Sequence, residues 1–499
     1  MVGAGLALAG RRLREDLAGF GRALGLGRAA PPPRLRVYRR ERHGGHTTLH
    51  LRRQSGGGAL LFVDAMEVIH LSPTAAHLAS LVLEEVPEAA ALAELRRSWR
   101  GAPGARLRDD LHAMRARLEQ LSDPRTACRT CDLPAERLPV FGQRGDAPYK
   151  ADLALTYACN NGCPHCYNDP AHFDRPPLSA ARWCELVDRL AEVGVPHLIL
   201  TGGEATLHPG LVEIVAHAHH RGLLVGLNTN GRRLGSGAAG RALARELAAA
   251  GLDHVQVTLE SHRPEVHDAM VGARAFEQTV AGVEAALAAG LSVLTNTTLT
   301  RANARELPET LDFLAGLGLQ AVALNAIIHA GGGSANPDAL PAGALAPILV
   351  EARERSRGLG LRLLWYTVTD YCELSPVELE LGPKRCNAGE YSVCLEPDGE
   401  VLPCQSYPAS AGNLLHTEWE TIWESELFRS FRERELDPGR LPEKCRGCPD
   451  LSLCGGGCRL EHEARSRGET SEACAGCGGR SSGASALVQL AAPGGGRWG

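Results

Sequence analysis

Strand-length apolar runs alternate with amphipathic stretches across the middle of the chain, from about residue 150 to residue 370. The amphipathic stretches have the spacing of helices that bury one face. Alternation of this kind predicts an α/β fold with parallel strands joined by crossover helices. The predicted strands are 152–157, 197–201, 223–228, 254–259, 292–298 and 320–325, and the predicted helices are 179–193, 211–221, 240–250, 276–289, 306–316 and 343–357.

A different pattern precedes this region and predicts a separate small unit over residues 34–125. Three runs with strand-like patterning, broken by glycine turns, predict a three-strand meander. Ser72 and Pro73 then mark a helix start, because Ser is a good N-cap and Pro suits the first helical position. The predicted strands are Thr47–Arg53, Ala59–Asp64 and Glu67–Leu71, and further helices are predicted at Glu88–Trp99 and Arg106–Leu121.

The two ends of the chain read as segments outside these units. In residues 1–33 the pattern fits an amphipathic helix, Arg11–Leu24, and a stiff Pro31–Pro33 linker follows; a solvated arm ending in that linker is the favoured alternative. Residues 481–499 are rich in Ser and Gly and predict a flexible tail. No apolar run is long enough for a membrane span, and no charged segment precedes the apolar start as in a secretory signal. We expect no membrane partner.

Sixteen cysteines occur in the chain, most of them in short groups typical of metal ligands, which predicts a reducing cytoplasmic location. Cys159, Cys163 and Cys166 follow the first predicted strand with C-x3-C-x2-C spacing, on a predicted loop. Three thiolates can bind three irons of a cubane cluster and leave the fourth iron open. The alternatives are a zinc site short of one ligand, or reduced core cysteines.

A second motif follows the second predicted strand, at Gly202, Gly203 and Glu204. Two glycines at the end of a strand allow a ligand to approach the backbone, and the acid can pair with an ammonium group. With both motifs in place, the chain resembles the radical S-adenosylmethionine (SAM) superfamily. The resemblance implies a 4Fe–4S cluster on the three cysteines, SAM on the open iron, and Glu204 on the amino group of SAM.

The same resemblance implies a partial (β/α)6 barrel over residues 150–370. His165 takes the ring-bearing position near the adenine, and Thr258 takes the place of a SAM-contacting serine. The family often has H-D-x-x-R-G after the fourth strand, but Val271 stands here in place of the arginine. Arg274 is a candidate substitute for that contact.

A second cysteine-rich region, residues 371–480, follows the predicted barrel. Its spacing resembles the SPASM extension of peptide-modifying radical SAM enzymes, while a four-cysteine zinc knuckle is the alternative for residues 445–458. The resemblance implies two auxiliary 4Fe–4S clusters with interleaved ligands. Gln405 stands where sulfatase-maturing relatives have an aspartate, which argues against their chemistry. The nearer cluster would use Cys386, Cys394, Cys404 and Cys458, and the farther one Cys445, Cys448, Cys454 and either Cys474 or Cys477.

The small N-terminal unit resembles the PqqD-like domain, which recognises the leader of a ribosomally made precursor peptide. In that family the leader adds a strand to a sheet edge. Twelve arginines against three acids in residues 1–54 would attract an acidic leader. A small capping domain is the alternative for this unit, and a basic solvated face or a nucleic-acid contact is the alternative for its arginines. No nucleic acid is expected, because no aromatic stacking set accompanies the basic residues. Cys128 and Cys131, in the linker 126–149, are compatible with zinc, a redox pair or unligated thiols.

Together these features predict a radical SAM oxidoreductase that cleaves SAM to a 5′-deoxyadenosyl radical and abstracts hydrogen from a precursor peptide. The product would be a crosslink, a thioether or another oxidative modification. A flavodoxin or ferredoxin is the expected one-electron donor. The alternatives are a SAM enzyme acting on a small molecule, as in haem biosynthesis, and a non-enzymatic iron–sulfur carrier or peptide-binding scaffold.

Overall fold

The computed structural model describes residues 34–42, 45–64, 67–99, 101–123, 129, 141 and 145–468. It divides into a smaller unit of residues 1–132 and 192–194 and a larger unit of residues 133–191 and 195–499. Several predicted features lie outside the described residues: the helix Arg11–Leu24, the linker Pro31–Pro33, Cys128, Cys131, Cys474, Cys477 and the tail 481–499.

The N-terminal unit contains the predicted antiparallel meander, but the meander has four strands and not three. The missed strand is the first, whose run of arginines hid the alternation. β3 is buried along its whole length and β1 and β4 form the two edges. The strands are β1 (Leu35–Arg42), β2 (Gly45–Arg53), β3 (Ala59–Val63) and β4 (Glu67–Leu71).

Three helices follow the sheet and bury one face each: α1 (Pro73–Leu83), α2 (Glu88–Ser98) and α3 (Gly104–Leu121). The predicted start of α1 is confirmed, because the Ser72 hydroxyl accepts a hydrogen bond from the Ala75 N–H at 3.3 Å. The buried apolar residues of the helices give this unit its own core.

The larger unit is built on a nine-stranded sheet with the order β11-β10-β9-β8-β7-β6-β5-β12-β13. Strands β5 to β12 pair in parallel, and β13 is antiparallel to β12. Six strands fall where they were predicted, and three more extend the sheet at its two ends. The strands are β5 (Lys150–Thr156), β6 (His197–Gly202), β7 (Leu224–Thr229), β8 (His254–Thr258), β9 (Ser292–Leu299), β10 (Ala321–Ala326), β11 (Arg362–Trp365), β12 (Ser392–Leu395) and β13 (Val401–Leu402).

The crossover helices lie at the predicted positions, and a short additional helix, α7, follows β8. Among the described residues, no helix has both the length and the apolar composition needed to cross a membrane. The helices of this unit are α4 (Ala180–Val193), α5 (Leu211–His220), α6 (Gly237–Ala249), α7 (Pro264–Val271), α8 (Phe276–Ala288), α9 (Leu307–Gly316), α10 (Ala342–Leu359), α11 (Trp419–Trp423), α12 (Glu426–Arg432), α13 (Leu451–Cys454) and α14 (Arg459–Ser466).

Candidate active site

The first cysteine motif lies on a loop that leaves the carboxyl end of β5, as predicted. The backbone at the end of α7 holds this loop: the Val271 carbonyl accepts the Gly162 N–H at 2.9 Å and the Cys163 thiol at 3.7 Å. The next residue, Gly272, has φ +65°, and a Cβ there would lie 2.3 Å from the Gly162 carbonyl oxygen. Val271 therefore acts through its backbone, while Arg274 is exposed.

A glycine turn after β10 holds the other side of the cysteine loop. The Gly332 N–H donates to the Cys166 carbonyl at 2.8 Å. A Cβ at Gly331 would lie 2.4 Å from the Asn168 carbonyl oxygen, and one at Gly332 would lie 2.5 Å from that of Pro164. The sequence analysis missed this contact, although three successive glycines after a strand are a signal of close backbone approach.

The three thiols share one electrostatic environment. Burial raises the pKa of Cys163, and the nearby Glu260, Cys166 and Cys159 raise it further. Burial also raises the pKa of Cys159. Neutral thiols are thus favoured in the absence of a nearby cation. A metal centre that supplies positive charge would stabilise the thiolate forms, so this donor set fits iron–sulfur ligation.

The second motif lies directly beside the cysteine loop. A Cβ at Gly202 would lie 2.2 Å from the Thr156 carbonyl oxygen, and one at Gly203 would lie 2.4 Å from that of Tyr157. Both glycines are therefore required by the approach of β6 to the end of β5. The Glu204 N–H donates to the Ala158 carbonyl at 2.9 Å, which ties the motif to the residue before Cys159.

Glu204 is 1% exposed, and its neighbours fix its carboxylate. Oε1 accepts hydrogen bonds from the Thr206 N–H at 3.0 Å, the Thr206 hydroxyl at 2.6 Å and the Thr229 hydroxyl at 2.7 Å. Oε2 accepts the Asn230 N–H at 2.7 Å. Because Oε2 has this single donor, it keeps acceptor capacity for a ligand ammonium group.

A buried acid, Glu260, lies just after the carboxyl end of β8. Glu260 follows Thr258 at the end of β8, and its Oε1 lies 3.3 Å from His165 Nε2. Its Oε2 accepts the Thr298 N–H at 2.6 Å. Burial lowers the pKa of His165, but the nearby Glu260 carboxylate outweighs burial and raises it. Sequence reasoning placed His165 near the site but missed this partner.

Gln405 links the first cysteine loop to the cysteine-rich region. Its side-chain oxygen accepts from the Tyr167 hydroxyl at 3.3 Å. Its nitrogen donates to Asn168 Oδ1 at 3.1 Å and to the Gly202 carbonyl at 3.4 Å. An aspartate could not make the last two bonds, because a carboxylate has no N–H donor. Gln405 is thus a bridging residue in this chain.

Eight cysteines of the C-terminal region are described, and seven of them fall into two electrostatic groups; the eighth, Cys372, is exposed. In the first group, burial is the largest cause of the raised pKa of Cys394, Cys404 and Cys458. Cys404 raises the pKa of Cys394 further, and Cys386 raises the pKa of both Cys404 and Cys458 further. In the second, burial, Asp370 and Cys454 raise the pKa of Cys445 to about 11, with Cys448 adding to the shift. We call the first group (Cys386, Cys394, Cys404 and Cys458) the near set and the second (Cys445, Cys448 and Cys454) the far set.

Known proteins share this architecture. The model of the radical SAM superfamily matches residues 153–314, and that of SPASM, an iron–sulfur cluster-binding domain, matches residues 386–449. The PqqA peptide cyclase of Streptomyces rochei is 32% identical over 327 residues, which are 63% of this chain and 85% of the cyclase. The AdoMet-dependent heme synthase of Methanosarcina barkeri is 29% identical over 331 residues, 63% of this chain and 92% of that protein.

One solved structure extends the likeness. The crystal structure of Streptococcus suis SuiB bound to precursor peptide SuiA has a TM-score of 0.59 and 15% identity, and covers 82% of this chain and 94% of that chain. The fold and the cysteine loop define the class of radical SAM enzymes. This chain belongs to the radical SAM superfamily and carries its SPASM domain, so 4Fe–4S clusters and SAM are its cofactors.

Proposed function

We propose that this enzyme modifies a ribosomally made precursor peptide, introducing a crosslink, a thioether or another oxidative change. The extent of the structural likeness carries the proposal. The likeness to SuiB covers 82% of this chain, a larger share than residues 133–499 make up, so it includes part of the N-terminal unit. SuiB is described as bound to its precursor peptide, and the cyclase relatives are also named for a peptide.

The first cysteine loop is the proposed site of SAM chemistry, with Cys159, Cys163 and Cys166 as cluster ligands. The bound cluster and SAM supply one-electron cleavage of the sulfonium to methionine and a 5′-deoxyadenosyl radical, which abstracts hydrogen from the peptide. Glu204 holds the SAM amino group, since its carboxylate is already oriented by Thr229 and Asn230.

Other residues complete the proposed SAM pocket. His165, oriented by Glu260, lies beside the adenine. Gly202 and Gly203 let the end of β6 approach the cysteine loop closely, so that their backbone borders the pocket, and Thr258 contacts SAM from the end of β8.

The near set and the far set are the proposed ligands of two auxiliary 4Fe–4S clusters. The near set supplies four thiolates, and the far set is completed by Cys474 or Cys477, outside the described residues. The electrostatic grouping of the described cysteines supports this division. We also propose a flavodoxin or ferredoxin as electron donor and a cytoplasmic location, because thiolate ligands of this kind require a reducing environment.

The N-terminal unit is the proposed PqqD-like domain, which binds the leader of the precursor peptide through residues 34–125. Its sheet has two edges, and the β4 edge carries three half-buried apolar side chains, Val68, Ile69 and Leu71. An extended peptide added at this edge would pair its backbone with β4 and cover those side chains. The arginine-rich N-terminal sequence would favour an acidic leader.

The test is affinity capture of peptides from the source lysate on the full-length chain, read by mass spectrometry. We expect one enriched acidic, ribosomally encoded peptide, whose mass changes after incubation with the reduced enzyme and SAM. A chain with Val68→Asp and Leu71→Asp is the matched control and should lose capture while keeping its iron. No enrichment over this control would contradict the proposal.

A second candidate is oxidation of a small molecule of the haem type. The 29% identity to the heme synthase over 92% of that protein favours it. A porphyrin substrate needs no strand-binding edge, so the β4 variant should then keep full activity. Substrate-dependent formation of 5′-deoxyadenosine with porphyrins, and none with captured peptides, would decide for this candidate.

A further inference from the structure

Asn230 contacts two parts of the proposed SAM site at once. Its backbone N–H donates to Glu204 Oε2 at 2.7 Å. Its side-chain Nδ2 donates to Asn160 Oδ1 at 2.6 Å. Asn160 is the residue after Cys159, the first cysteine of the loop. One residue therefore joins the acid that follows β6 to the loop that carries the proposed cluster ligands.

Each hydrogen-bonding atom of Asn230 has a protein partner, and the residue is only 8% exposed. Besides the two bonds above, its carbonyl accepts the Thr279 hydroxyl at 2.9 Å, and its Oδ1 accepts the Arg232 N–H at 3.1 Å. A different rotamer would leave buried polar atoms without partners, which is costly. The side chain is therefore held in the orientation that reaches Asn160.

Arg232 holds the same part of the loop from the same turn. Its Nη1 donates to the Asn160 carbonyl and, at 3.1 Å, to Asn161 Oδ1. Its Nε donates to Gln278 Oε1 at 2.9 Å, which fixes the direction of the guanidinium. The turn after β7 thus holds Asn160 through two side chains, one at its amide oxygen and one at its backbone carbonyl.

The position of Glu204 relative to the cysteine loop matters because SAM would contact both. In the proposed function, the amino group of SAM binds the open iron and also donates to Glu204. One nitrogen then has two partners, and its hydrogen bond weakens steeply as the distance and angle depart from their optimum. A change in the spacing between loop and acid should therefore reduce SAM affinity even when every ligand side chain is present.

We propose that Asn230 is a positioning residue that fixes the cysteine loop relative to Glu204 and thereby sets the affinity for SAM. The inference rests on the proposed function of this loop. The backbone bond of Asn230 orients the acid, and its side-chain bond holds the loop at Asn160. Holding both parts in place before SAM binds lowers the cost of binding, because less freedom is lost.

A double-mutant cycle on the anaerobically reconstituted full-length chain tests this role, with the Kd of SAM measured by equilibrium dialysis. Asn230→Ser removes the bond to Asn160, while its hydroxyl can still accept the Arg232 N–H. Asn160→Ala removes the acceptor but keeps the carbonyl that Arg232 contacts. Each variant should raise the Kd about fivefold to tenfold, the effect of one hydrogen bond, and the double variant should raise it no further.

Iron analysis and electron paramagnetic resonance complete the test. All variants should keep the iron content of the wild type. The difference between spectra of the reduced chain with and without SAM reports the cluster that SAM contacts, and it should be altered in both single variants. Thr279→Val removes another hydrogen bond to Asn230 and is the matched control. It should leave the Kd near that of the wild type, because the bond to Asn160 remains.

Several results would overturn the inference. They are an unchanged Kd in either single variant, additive effects of Asn230→Ser and Asn160→Ala, or an equal loss of affinity in Thr279→Val. Loss of iron from either single variant would also overturn it, because the contact would then serve cluster loading and not the position of the acid. A wild type that holds iron but binds no SAM would refute the proposed function, and this inference with it.

Discussion

At the residue scale, Glu204 shows how a buried acid is oriented before a ligand binds. Its carboxylate accepts hydrogen bonds from Thr206, Thr229 and Asn230, which favour one rotamer and so reduce the side-chain entropy that binding would cost. Thr229 is the last residue of β7 and Asn230 follows it, so a neighbouring strand fixes the orientation of the Glu204 carboxylate. In the proposed role of Glu204, preorganisation of this kind would lower the cost of holding the SAM amino group.

Glu204→Gln should weaken SAM binding and leave the iron content near wild type. The variant removes the charge that pairs with an ammonium group, and hydrogen bonds to charged groups contribute about 1.5–3 kcal/mol, or roughly tenfold to a hundredfold in Kd. Equilibrium dialysis of SAM with the reconstituted chain measures the change. Glu213→Gln, an exposed acid on α5, is the control. Equal SAM affinity in the two variants would rule out the assigned role.

Local spacing was enough to predict the residues of the first cysteine loop and Glu204, because each motif is short and begins at a strand end. Local spacing was not enough to predict that Glu260 lies beside His165, or that the Gly332 N–H donates a hydrogen bond to the Cys166 carbonyl. These contacts join segments far apart in sequence and depend on the order of strands around the sheet. No local periodicity encodes that order.

At the scale of elements, the end of α7 is what positions the cysteine loop. Gly272→Ala should reduce the iron bound by this loop and the SAM cleavage that depends on it. The new Cβ would meet the Gly162 carbonyl oxygen at 2.3 Å, and the positive φ adds strain of about 1 kcal/mol or more. Iron analysis and 5′-deoxyadenosine yield measure the loss.

Gly290 provides the matched control for that substitution. It also has a positive φ, +79°, but no atom lies within 4 Å of a Cβ built there. Gly290→Ala should therefore show strain alone and keep the iron of the cysteine loop. Equal iron contents in the two alanine variants would show that the contact with Gly162 does not position the loop.

Elements with a strong apolar period were predicted well. The strands that were missed show where a local sequence pattern is not enough to predict structure. β1 reads LRVYRRER, and its arginines Arg36 and Arg40 pair with Glu84 and Glu85 after α1. β12 is only four residues long and becomes a strand by pairing with β5. In both cases tertiary partners, rather than local preference, decide the structure.

β8 carries a histidine that should make the fold sensitive to mild acid. Burial lowers the pKa of His254 from 6.5 to about 4, and Lys150 adds to the effect. The unfolded chain binds this proton at a higher pH than the folded chain, so stability falls as pH drops from 6.5 toward about 4. The slope contributed by one such group is at most about 1.4 kcal/mol per pH unit.

Urea unfolding of the full-length chain without clusters, at pH 7 and pH 5, tests this expectation. The wild type should lose more stability between the two pH values than His254→Gln, which cannot be protonated at that position. His220→Gln, on the last turn of α5, controls for removal of a histidine elsewhere. An identical pH dependence in wild type and His254→Gln would contradict the assignment.

At the scale of the molecule, the larger unit joins its two cysteine regions through one sheet. β12, which carries Cys394, pairs with β5, which leads to Cys159. The Tyr157 hydroxyl donates to Glu396 at 2.6 Å and fastens the end of β5 to the turn after β12. The cysteine-rich region therefore continues the barrel sheet. The alternation of strands and helices predicted the barrel, but it did not predict that the cysteine-rich region adds strands to the same sheet.

In the proposed function, the first cysteine loop carries a cluster that cleaves SAM. The most direct measurement is the yield of 5′-deoxyadenosine from the anaerobically reconstituted, dithionite-reduced chain, compared with its Cys163→Ala variant. We predict formation of 5′-deoxyadenosine by the wild type and none by the variant, with the clusters of the near and far sets retained. Equal yields from the two proteins, or no product from a wild type loaded with iron, would contradict the account.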